Sequence, residues 1–158
     1  MTYIADAGAV SAEYHPSAAA EQSVMGSGST ARFVAPGSVT QGRFGLYEWH
    51  MPAGAGGADA HFHRTFSESF YVMTGTVRLF DGARWVDAPA GDFLHVPEGG
   101  MHGFRNDSGA AASMLILFAP GITRETYFRE LADIAATGRQ LSEEEWTDLF
   151  ARHDQYRA

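Results

Sequence analysis

The 158-residue sequence contains no cysteine. Disulfides, thiolate nucleophiles and thiolate metal ligands are therefore excluded, and the composition suits a reducing compartment. Lysine is absent as well, so all eleven cationic residues are arginines. That removes Schiff-base chemistry, including a lysine-bound pyridoxal phosphate. The arginines are scattered and the formal net charge is -8. Without a concentrated basic patch, such a chain repels a phosphate backbone, so no nucleic-acid partner is expected. No apolar run is long enough to span a membrane. The opening "MTYIADAGAV" has neither the basic region nor the apolar core of a signal peptide. A cytoplasmic protein with no membrane partner is the expectation.

What is present fits one globular fold with a sizeable core: 45% of residues are hydrophobic and 13% aromatic. Residues 1–30 are rich in Ala, Ser and Gly and read as an arm with at most one short strand. From 31 to 120 short apolar runs alternate with turn residues: "RFGLYEWHM", "ESFYVMTG", "TVRLFDG", "RWVDA", "DFLHVP", "HGFRN" and "SMLILFA". Many short strands at this spacing predict an all-β sandwich or barrel. After Pro120-Gly121 the period lengthens, and residues 121–158 read as a helical segment. Tyr127, Phe128, Leu131, Ile134 and Ala135 share one helical stripe, with Thr123 as N-cap and Gly138 as stop. Ser142 and Glu145 form a capping box for a second helix, whose apolar face is Trp146, Leu149 and Phe150. Both helices are expected on the outer surface of the β-structure.

The stretch "HFHRTFSESFYVMTG" (61–75) carries the chemistry. On a strand His61 and His63 project to one face, close enough to bind one ion. Glu68 lies at an odd offset from His63, so "RTFS" must turn the chain for Glu68 to face back. In "GDFLHVPEGGMHGFRN" (91–106), Pro97 and Gly99-Gly100 shape a turn, and His102 opens a strand with Phe104 and Asn106 on its face. If that strand lies beside the other two, His102 supplies a fourth ligand. Three neutral imidazoles and a carboxylate suit a divalent first-row metal and leave positions open for a substrate oxygen.

These two stretches resemble the two motifs of the cupin superfamily. His61, His63, Glu68 and Gly75 follow the spacing of the first, and Gly91, Pro97, Gly99, His102 and Asn106 that of the second, with fifteen residues between them. The upstream glycines Gly54, Gly56 and Gly57 depart from the strict pattern only in having Ala55 at one turn position. The resemblance implies a double-stranded β-helix barrel with one divalent ion inside: Fe, Mn, Ni, Zn, Co or Cu. The segment "APGITRETYFRELADIA" is similar to the tail of single-domain, quercetin dioxygenase-like cupins. By that likeness the function is oxygenation of a small aromatic or enol-type substrate, with Glu68 the catalytic group that takes the substrate's hydroxyl proton. A homodimer is the expected assembly. Metal-dependent isomerisation or decarboxylation of a small sugar or keto acid is the alternative, and a non-catalytic small-molecule binder a third.

Other features are weighed and set lower. His95 and His50 are read as ordinary core or surface histidines before site residues, and His15 and His153 as surface groups. Tyr47, Trp49, Phe70, Met73 and Phe104 are candidates for an apolar pocket suited to a flat neutral substrate. "GSGSTA" (26–31) matches a dinucleotide-binding pattern but lacks the strand before it and the helix after it. Ser67 reads as a turn residue, not a nucleophile.

Overall fold

A computed structural model describes residues 2–10 and 12–158; Met1 and Ser11, both in the expected arm, lie outside the described residues. A 3-10 turn at Ser17–Ala19 precedes strands β1 (Gln22–Val24), β2 (Thr30–Ala35) and β3 (Gly45–Met51). Next come β4 (Ala58–Phe62), β5 (Ser67–Thr74), β6 (Thr76–Phe80) and β7 (Trp85–Pro89). β8 (Phe93–Val96), β9 (His102–Arg105) and β10 (Ala112–Ala119) complete the run of strands legible in the sequence. Helices α1 (Arg124–Thr137) and α2 (Glu143–Arg152) and a two-residue strand, β11 (Tyr156–Arg157), follow.

The strands form a six-stranded sheet, in order β1-β2-β3-β10-β5-β8, and a five-stranded sheet, in order β11-β4-β9-β6-β7. This is the expected all-β double-stranded β-helix with two helices after it. The barrel is not closed, which corrects one expectation. β1 and β8 end one ladder and β11 and β7 the other, so packing and not a continuous ladder joins the layers. Gly75 shows why the ladder breaks. The chain leaves β5 for β6 of the other sheet there, at φ 70, against the backbone of Ala111 and Ala112. Only glycine takes that left-handed corner without strain or clash.

Alternation puts Tyr47, Trp49 and Met51 of β3 and Met114, Ile116 and Phe118 of β10 on the inner face of the larger sheet. Glu68, Phe70 and Val72 of β5 share that face, each opposite a buried β10 residue. Helix α1 does not lie on the outside as expected. Phe128 of α1 packs edge-on to Tyr47 at 5.0 Å and Trp49 at 5.2 Å between ring centroids. The inner face is apolar up to the sheet's end, and α1 covers it there; burying Phe128 alone stabilises by about 2 kcal/mol. A buried hydrogen bond from the Tyr47 hydroxyl to Glu125 Oε2, at 2.9 Å, fixes the helix's approach.

α1 ends as the sequence predicts, with Gly138 in the left-handed region, but the Thr123 side chain makes no capping bond. The Ser142–Glu145 capping box of α2 is formed in both directions. Among the described residues no helix is long and apolar enough to cross a membrane.

Gly57 marks a close approach between the turn before β4 and β9. A Cβ there would run into the carbonyl oxygen and ring of Phe104. Gly57→Ala is expected to cost about 2 kcal/mol, roughly 5 °C in Tm. Calorimetry showing an unchanged Tm would contradict this crowding.

Candidate metal centre

His61 sits at the end of β4, opposite His102 at the start of β9. His63 follows β4 on the turn that carries the chain to the other sheet, where Glu68 stands near the start of β5. Glu68 therefore faces the imidazoles from the opposing layer. The sequence-based condition that His102 lie beside both earlier strands is met only for β4. The turn "PEGG" is tied to the first motif directly: the Gly99 amide donates to the carbonyl of His63 at 2.7 Å.

All four side chains are buried, and their ligand atoms lie within 4.8 Å of one another. Each imidazole is held from behind by a backbone carbonyl. Nδ1–H of His61 donates to Asp59 O at 2.6 Å, that of His63 to Asp154 O at 2.6 Å, and that of His102 to Gly100 O at 3.0 Å. A carbonyl can only accept, so the hydrogen stays on Nδ1 and a neutral ring turns a bare Nε2 inward. Glu68 Oε2 lies 3.0 Å from Nε2 of His63 and 2.8 Å from Nε2 of His102. Its other oxygen accepts no side-chain hydrogen bond among the described residues. Phe66, fully buried, stacks on the His63 ring at 4.2 Å.

Nitrogen lone pairs gathered round a carboxylate repel unless positive charge lies among them. Protons can supply part of it. Burial opposes a charged His102, but the Glu68 carboxylate outweighs burial and holds His102 above the usual histidine value. Burial likewise opposes the ionised form of Glu68, and the bonds from His102 and His63 overcome it, holding Glu68 well below the carboxylate range. His61 is pushed down to about 3, first by burial and then by the charge of His102. It thus keeps its lone pair at neutral pH. A divalent cation meets the same demand from one position, and a set of three nitrogens and one oxygen fits a first-row metal.

The centre opens on a cavity of about 430 Å³ between the sheets and the helices. His61 and Glu68 lie on its wall, with Trp49, Phe104, Phe118 and Phe128.

The cupin domain family matches residues 47–118, which span both motifs and the strands around them. The quercetin 2,3-dioxygenase of Bacillus subtilis is 33% identical over 102 residues, 65% of this chain. The chain spans only 29% of that protein's length. An RmlC-like cupin from Shewanella frigidimarina shares the fold at a TM-score of 0.59 and 20% identity, over 70% of this chain and 92% of that one. Residues 47–118 thus carry a cupin domain match, on a fold shared with solved cupins. The polyketide cyclase RemF of Streptomyces resistomycificus superposes on this protein with a TM-score of 0.59 and 20% identity, over 69% of this chain and 80% of its own.

The fold brings His61, His63, Glu68 and His102 together, and leaves the other histidines out of the cluster. His95 is exposed and lies 2.9 Å from Ser69 Oγ through Nδ1. His50 is exposed beside Glu48, and His15 is exposed beside Glu13. His153 pairs with Glu130 at 2.7 Å. Of the five aromatic and methionine candidates, Trp49 and Phe104 reach the cavity. Tyr47 and Phe70 are core, and Met73 is half-buried away from it. Asn106 is not a ligand. Fully buried, it donates to the carbonyls of Pro52 and Ala110 at 2.9 and 2.8 Å and accepts from Ser108, pinning the loops at the end of β9. "GSGSTA" is a hairpin turn leading into β2, with no helix to receive a pyrophosphate.

Two contributions lie outside the motifs. Asp154 holds His63 and the turn after it. Arg124, buried on α1 and lining the cavity, corrects the expectation of an uncharged pocket. The helical stripe marked Tyr127 and Phe128 as inward-facing; no sequence signal marked which surface they meet, or that Arg124 goes in with them.

Proposed function

We propose that this protein is a cupin acting as a metal-dependent oxygenase of a small aromatic or enol-type substrate. The observation that carries the reading is the inward convergence of His61, His63, Glu68 and His102 at the wall of an aromatic-lined cavity. These four residues would hold one divalent ion. Such an ion supplies Lewis acidity, open coordination positions and, where redox-active, one-electron chemistry towards dioxygen.

The protein's own groups do the rest. The carbonyls of Asp59, Gly100 and Asp154 keep the imidazoles in one tautomer and orientation. Trp49, Phe104 and Phe128 exclude water and give a flat ring apolar surface. Glu68 is ionised, so it is in the form that can take a substrate hydroxyl proton on its second oxygen. Its depressed pKa differs from the raised one that a strong general base would have. It acts here as a positioned acceptor more than as a strong base.

The test is elemental analysis of the purified protein followed by oxygen uptake with flavonols, β-diketones and other aromatic enols. Oxygen consumption stoichiometric with substrate is the expected result. Glu68→Gln should retain metal through the three histidines and lose about 100-fold in kcat. Turnover of a sugar or keto acid without oxygen uptake would replace this reading with the isomerase or decarboxylase one. Tight binding with no product would replace it with a non-catalytic binder.

A further inference from the structure

Arg124 is 3% exposed, yet no carboxylate pairs with it among the described residues. NH1 donates to the His153 carbonyl at 2.8 Å and NH2 to Gln155 Oε1 at 3.3 Å, both uncharged acceptors. Nε has no acceptor among the described residues. The guanidinium carbon lies 4.2 Å from the centre of the Tyr127 ring and 5.1 Å from that of Phe118. These rings soften the cost of burying a cation but do not neutralise it.

A second buried donor lines the same cavity without a partner among the described residues: the indole N–H of Trp49. The other charged groups on the wall are exposed and, apart from Asp59, already paired. Arg139 meets Glu145 at 3.1 Å, and Arg157 meets Glu143 at 3.0 Å. Glu68 belongs to the candidate metal centre. A divalent ion there would leave one net positive charge on the four-ligand set, and Arg124 adds another. The cavity thus combines aromatic walls, a buried cation with no carboxylate in contact and an unused neutral donor.

We propose that the cavity recognises a planar, conjugated carboxylic acid, with Arg124 meeting the carboxylate and the Trp49 N–H donating to a further ligand oxygen. The proposal deepens the oxygenase reading and rests on it in one respect, that this cavity is the substrate site. The acid group satisfies Nε and the charge together, and the ring lies among Trp49, Phe104 and Phe128. A neutral ligand of the same shape would leave the cation as it is. Arg124 is thereby a specificity-determining residue that belongs to α1 and not to the cupin motifs.

The test is calorimetric binding of salicylate and cinnamate against salicylamide and cinnamamide, using metal-stripped and nickel-loaded protein. The acids should bind about tenfold or more tighter than their amides in both forms. Arg124→Gln should abolish that preference while amide affinity holds, and Arg124→Lys should keep part of it. Trp49→Phe should weaken acid and amide alike. Equal binding of acid and amide by the wild-type protein, or binding of neither, overturns the proposal without any variant having to fold. So does a preference that survives Arg124→Gln or that exists only with nickel. Protein that takes up no metal but still prefers the acids upholds Arg124's role and sinks the metal reading instead.

Discussion

Replacing His102 with alanine is expected to lower the metal affinity of the protein by more than about 100-fold. His102 is fully buried, its Nε2 faces the centre, and its partner strand carries His61. No other histidine is close enough to take its place among the described residues. The same change removes one of the two imidazoles beside Glu68 and leaves that buried carboxylate less satisfied, at a cost of about 2 kcal/mol in the metal-stripped protein. Chelator competition reads the first effect and calorimetry the second.

Acid should have a related consequence. His102 lies above its ordinary value and His61 is pushed down to about 3. As pH falls, a proton therefore competes for the His102 nitrogen first, beginning above about 6.5, while His61 stays available almost throughout. Metal content should drop between about pH 7 and about pH 4.5. Equal metal at both, or an undiminished affinity in His102→Ala, would remove the centre proposed here.

The second large effect should come from Asp154, which no motif includes. Its carbonyl accepts from His63 Nδ1 at 2.6 Å. Its carboxylate accepts from the amides of Arg64 and Thr65, at 3.1 and 2.8 Å, and from the Thr65 hydroxyl at 2.7 Å. One residue thus fixes both the His63 ring and the turn that follows it. It does so with φ 54, a conformation that Asp and Asn tolerate better than most residues. Asp154→Ala is expected to weaken metal binding about tenfold by freeing the turn. Removing residues 153–158 takes away the carbonyl as well, strips β11 from β4, and leaves Arg124 without either acceptor. That deletion should cost about 100-fold in metal affinity. Asp154→Asn, which keeps an acceptor and the backbone preference, should fall between wild type and alanine. A truncated protein that holds metal as tightly as the full chain would show that His63 needs no support from this segment.

The contrast between His102 and Asp154 indicates what the sequence makes legible. The four candidate ligands follow from local rules: a two-residue strand period for His61 and His63, and a forced reversal before Glu68. His102 follows from a Pro-Glu-Gly-Gly turn. Asp154 acts across 91 residues of chain, through a carbonyl that every residue possesses, so its identity carries no such mark. β11 is two residues long and has no pattern to read. Arg124 is hidden for a different reason. A helical stripe tells which side of α1 is buried, and says nothing of whether that side covers the outside of a sheet or enters the space between two. The open ladder ends were equally silent, because alternation reports faces and not edges.

The division of the centre between layers has a mechanical meaning. Glu68 is carried by one sheet, whereas His61 and His102 are carried by the other. No ladder fastens β8 to β7 or β1 to β11, so side-chain packing and the chain connections set the spacing between the two sheets. That spacing in turn sets the carboxylate-to-imidazole distance. The fit between the layers and the bite offered to a cation at this candidate centre are therefore one quantity.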